Sequence, residues 1–92
     1  MKELFDNLQQ FQKEIGSMNL PTDEAENVKS NVNLAIKEAQ KPQPDPKKIQ
    51  SKFQGAIDTV KEVGDTIQTV SKWDWTQKIL SILGKIGLKI LL

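Results

Sequence analysis

The stretch that decides the reading of this chain is residues 73–92, WDWTQKILSILGKIGLKILL. From Trp75 onward ten of eighteen residues are apolar, and Lys78, Lys85 and Lys89 are threaded through them. Such a stretch is a membrane span, a membrane-surface helix or the last helix of a bundle. Eighteen helical residues cover about 27 Å, just short of a hydrocarbon core of about 30 Å. Ten apolar residues gain roughly 5 kcal/mol on insertion, and a central lysine costs about 3 kcal/mol. Lys85 is central, while Lys78 and Lys89 cost less because they reach towards the ends. The balance is near zero, so a span is not expected. Spacings of seven and four place the three lysines on one narrow stripe of a helix. Ile79, Ile82, Leu83, Ile86 and Ile90 take the adjoining face, with Leu80 and Leu91 further round, beside Gly84 and Gly87. A helix apolar on nearly all sides is usually central to its bundle. The expectation is a helix over 75–91, gripped by three neighbours, with its two glycines allowing close approach. Its removal should collapse the molecule. The alternative is a membrane-surface helix over 75–92, with lysines towards headgroups and tryptophans at the interface.

Upstream, apolar spacing reads as three more helices. Leu4, Leu8, Phe11 and Ile15 recur at four, three and four, which puts them on one face of a helix over 2–15. Gly16 suits the left-handed position that ends a helix. A second helix is expected over 21–40, with Pro21 in its first turn, Thr22 as cap and Asp23, Glu24 and Glu26 complementing the dipole. Its stripe of Ala25, Val28, Val32, Ala35, Ile36 and Ala39 is thin, and Leu34 falls on nearly the opposite side of the wheel. KPQPDP, residues 41–46, cannot continue a helix. Asp45 then reads as a cap and Pro46 as the first residue of a third helix. Ile49, Phe53, Ala56, Val60, Val63, Ile67 and Val70 keep helical spacing throughout. That periodicity predicts one helix over 46–72 with a close contact at Gly64, in preference to a break at Gly64-Asp65. Asp74 is placed to cap the last helix, with Gln77 three residues on in the capping-box position.

Composition bounds the chemistry. Ninety-two residues make one domain, 1–92, too small to enclose a substrate cavity of the usual few hundred Å³. Thirteen lysines, no arginine and twelve acids give a net charge of +1, far from the basic excess of a nucleic-acid binder. Histidine, cysteine and tyrosine are absent. A cysteine–histidine metal site is therefore impossible, and acid–base catalysis would need a carboxylate or lysine of strongly shifted pKa. Every acid falls in a polar, solvated-looking position, so no enzyme activity, cofactor or metal is expected. The lysine-bearing start MKEL is unlike a secretory signal, and the expected location is cytoplasmic or peripheral to the inner face of a membrane.

Residues 38–63, EAQKPQPDPKKIQSKFQGAIDTVKEV, resemble helical accessory modules near the C-termini of bacterial multidomain proteins, including pentapeptide-repeat proteins and conflict-system effectors. In these an acidic helix ends in Lys-Pro, a Pro-Asp-Pro turn follows, and a long helix leads into an apolar tail. The resemblance implies an adaptor acting through protein contacts and supplies no catalytic residues. The combined expectation is an all-α four-helix bundle with a proline-rich turn between its second and third helices. It would serve as a non-catalytic interaction or self-association module. Leu34, Trp73, Trp75, Leu80, Leu88 and Leu91 are the candidate contacts for a protein partner or a second copy.

Overall fold

The computed structural model describes all 92 residues and is all-helical. Five helices follow one another: α1 (Lys2–Gly16), α2 (Thr22–Ala39), α3 (Pro46–Lys61), α4 (Thr66–Val70) and α5 (Asp74–Lys85). Residues 86–92 continue as a non-helical strap.

The stripes expected from spacing form the core. Leu4, Leu8, Phe11 and Ile15 of α1 are buried, as are Val28, Val32, Ala35, Ile36 and Ala39 of α2. From α3 come Ile49, Phe53, Ala56, Ile57 and Val60, and from the C-terminal third Val70, Ile79 and Leu83. α2 and α3 make the most extensive helix pair. They run antiparallel, because Glu38 meets Asp45 at one end while Thr59 Oγ1 donates to Asn27 Oδ1 (2.7 Å) near the other. The small alanines and valines of α2 allow this close approach. α1 packs against both α2 and α5. Edge-to-face rings pin it further: Phe11 lies 4.9 Å from Phe53 and 5.7 Å from Trp73, centroid to centroid.

The expected helix over 46–72 is two helices. α3 ends at Lys61, Gly64 adopts φ +50°, and α4 restarts at Thr66. An added Cβ at Gly64 would meet nothing within 4 Å, so the glycine supplies a left-handed turn and not a close contact. The apolar period survives the break because Val63 and Ile67 stay half-buried and Val70 is fully buried.

The expected helix over 75–91 stops at Lys85. Gly87 takes φ +83°, Leu88 N–H donates to Leu83 O (2.9 Å) and Gly87 N–H to Gly84 O (3.0 Å). This is the paired-bond C-cap that left-handed glycine makes available. Gly84 and Gly87 have open space where a Cβ would stand, so neither serves close packing. Nor is α5 central. It packs chiefly on α1, and only Thr76, Ile79 and Leu83 are buried. No helix is long and apolar enough to cross a membrane.

Smaller expectations at the helix ends also shift. Gly16 stays inside α1, which is capped by a right-handed Ser17. Thr22 and Asp74 are first helical residues whose side chains cap nothing, with Pro21 and Trp73 at the cap positions. Gln77 turns back to donate to Ser71 O instead of closing a capping box. Asp45 and Pro46 hold their expected places, and Asp45 Oδ1 accepts from Lys47 N–H at 3.0 Å.

Candidate functional site

The six candidate contact residues divide. Trp73 and Trp75 are half-buried against the core, their rings 5.8 Å apart, and Trp73 locks the α4–α5 corner onto Phe11. Leu88 is also half-buried on the core, and Leu80 is half-buried outside it. Leu34 and Leu91 are exposed, at 42% and 70%. Ile86, expected on the apolar face of a continuing helix, joins them at 51%, as does Leu92 at 44%. Three of the five exposed large apolar residues therefore lie on the strap, the others being Leu34 on α2 and Met1.

Beyond the turn at Gly87 the strap lies along α3. Leu88 and Ile90 face the core and Lys89 and Leu91 face outward, the alternation of a β-type backbone. Its main chain is held by two glutamines one helical turn apart. Gln50 Nε2 donates to Lys89 O (2.8 Å). Gln54 binds Leu91 twice: its Nε2 donates to Leu91 O (2.9 Å) and its Oε1 accepts from Leu91 N–H (2.7 Å). Asp58 Oδ1 takes another hydrogen bond from Gln54 Nε2 at 2.9 Å and so orients the amide. The spacings match physically. Four helical residues rise about 6 Å and two extended residues about 6.6 Å, so glutamines at i and i+4 meet every second peptide of an extended chain. Nothing in the local sequence signals this arrangement, because Gln50 and Gln54 read as ordinary flanking residues of the α3 stripe.

Two surface clefts adjoin these elements. One, lined by Asp45, Pro46, Lys47, Ile86 and Leu88, lies between the start of α3 and the root of the strap. The other is polar, lined by Asp23, Glu24, Asn27, Thr59 and Glu62 between α2 and α3.

Glu38 corrects the expectation that every acid is solvated. It is buried at the end of α2, where Oε2 accepts from Asp45 N–H (2.9 Å) and Oε1 from Lys41 Nζ (2.9 Å). The backbone bond from Asp45 is the main cause that holds its carboxyl below the ordinary value of 4.5, followed by the bond from Lys41. Burial opposes them, and the charges of Lys41 and Lys48 add to the lowering. The carboxylate thus ties the proline-rich turn and sets the register in which α3 begins. A lowered folded-state pKa means that Glu38 stabilises fully above its unfolded value and loses this contribution as pH falls through the lower folded one. The thermal midpoint should therefore drop on acidification below about pH 4.5 more steeply in the parent than in Glu38→Gln. Parallel profiles of the two proteins between pH 6 and pH 3 would contradict this.

No protein-family model, curated protein or solved structure matches the chain.

Proposed function

We propose that the chain is a non-catalytic interaction module that self-associates through the surface around residues 86–92. The observation that carries this reading is the concentration of Ile86, Leu91 and Leu92, each at least 44% exposed, on one short segment. Single exposed apolar residues are ordinary on protein surfaces, whereas a cluster marks a contact. The resemblance of residues 38–63 to bacterial accessory modules supports the same class. So does an inventory without histidine, cysteine, tyrosine or arginine, which offers little for catalysis.

Light-scattering mass over a concentration series tests the reading. The parent should rise above the monomer mass of 10.4 kDa with concentration, and Ile86→Ser/Leu91→Ser should shift the midpoint at least tenfold higher. A parent that stays monomeric to millimolar concentration would refute self-association. Lys85 and Lys89 flank the same apolar side chains, so a second arm measures sedimentation with anionic vesicles. Binding that is stronger than self-association and lost in the same double variant would replace the protein partner with a lipid surface.

A further inference from the structure

We infer that the glutamine-lined flank of α3 is a seat for extended peptide, filled here by the chain's own strap, and that two copies associate by exchanging straps. This rests on the self-association reading and specifies its geometry. The seat recognises main chain: Gln50 takes the carbonyl of Lys89, and Gln54 takes both the carbonyl and the N–H of Leu91. Such contacts are the same whichever copy supplies the strand, as in other strand-addition modes. Selectivity comes from the inward positions, Leu88 and Ile90, which pack on the core cluster. The occupant that fits is therefore an extended segment with large aliphatic residues at alternate positions, and residues 88–92 of a second copy meet that description.

The connection favours exchange. The strap leaves α5 through one residue in the left-handed region, Gly87, and no helix residue has to move for it to swing outward. Exchange loses the Leu88 N–H to Leu83 O bond at the hinge but replaces the seat's contacts with identical intermolecular ones, which makes it a low-cost route to a dimer. It also brings the exposed side chains of Ile86, Leu91 and Leu92 to the junction between copies, where they can be covered. The closed monomer is then the state in which the strap occupies its own seat and blocks it.

The absence of native cysteine allows a direct test on the full chain. Lys47 lines the cleft beside Leu88, and the Lys89 side chain is exposed, so Lys47→Cys and Lys89→Cys leave the seat's hydrogen-bonding groups in place. Chains carrying one substitution each are mixed at a concentration where association is seen, then treated with a short flexible bis-maleimide. Strap exchange gives a 47–89 link between chains, identified by mass spectrometry. Adding Leu91→Pro to the Lys89→Cys chain removes the Leu91 N–H without touching any helix, and should cut that link at least tenfold. Gln50→Ala/Gln54→Ala on the other chain should do the same, with circular dichroism reporting that the helices persist. If association persists but 47 and 89 link only within a single chain carrying both cysteines, exchange is refuted while self-association stands. If no association occurs at all, both fail.

Discussion

Phe11→Ala is expected to cost about 3–5 kcal/mol, the range for truncating a fully buried aromatic side chain. A domain of this size is stable by about 5–15 kcal/mol, so the variant should sit at or near the edge of folding. The reason is position more than size. Phe11 is completely buried and meets Phe53 of α3 and Trp73 of the α4–α5 corner edge-on, at 4.9 Å and 5.7 Å. Each aromatic pair contributes about 0.5–1.5 kcal/mol beyond the area it buries. One ring therefore joins α1 to both the middle and the end of the chain. Urea unfolding followed by tryptophan fluorescence measures the loss, and Phe11→Leu should recover much of it. A Phe11→Ala protein with an unchanged midpoint would mean that these three rings do not form the junction described.

The second large effect separates α5 from its strap. Ending the chain after Asp74 removes Ile79 and Leu83, both fully buried. Their burial stabilises by about 1.5–3 kcal/mol each, and the hollow left on α1 adds to the loss. This shortened protein is expected to be unfolded or to melt far below the parent. Ending the chain after Leu88 should do much less, because it keeps the whole of α5 and both hydrogen bonds of its C-cap. Hydrogen bonds such as those from Gln50 and Gln54 contribute about 0.5–1.5 kcal/mol each. Fixing each strap residue costs about 1–2 kcal/mol in backbone entropy, which cancels that gain and leaves the half-burial of Ile90 as the strap's contribution. The two melting curves should thus differ widely. Near-identical curves would mean that α5 is dispensable to the core.

The core was legible in the sequence because burial follows helical spacing even when chain direction changes. Leu4, Leu8, Phe11 and Ile15 needed nothing beyond their spacing, and Asp45-Pro46 announced α3 by cap chemistry. The same virtue hid the break at Gly64. Val60, Ile67 and Val70 meet one core from both sides of a turn, so periodicity alone reads them as continuous. Lys78, Lys85 and Lys89 misled in a related way. Their spacing forms a stripe only while the helix continues, and α5 ends at Lys85. A glycine in an apolar run reads equally well as a packing site or a stop, and Gly87 is a stop. The strap's seat was not legible at all. Pairing between side-chain amides and a backbone 37 to 39 residues away leaves no local pattern. Leu34 was readable from its place on the wheel, whereas the exposure of Ile86 followed from an end of helix that spacing did not reveal.

The contact between α1 and α5 joins segments far apart in sequence, and this sets an order of events on the ribosome. α2 and α3 are both complete once Lys61 has been made. At about 5–20 residues per second, the stretch from there to the end of α5 takes roughly 1–5 s to translate. For that interval the side of α1 destined for α5 has no cover, and the nascent chain presents an apolar face to chaperones and to neighbouring nascent chains. A rare-codon pause placed between α4 and α5 would prolong that interval, and should lower soluble yield without changing one atom of the finished protein.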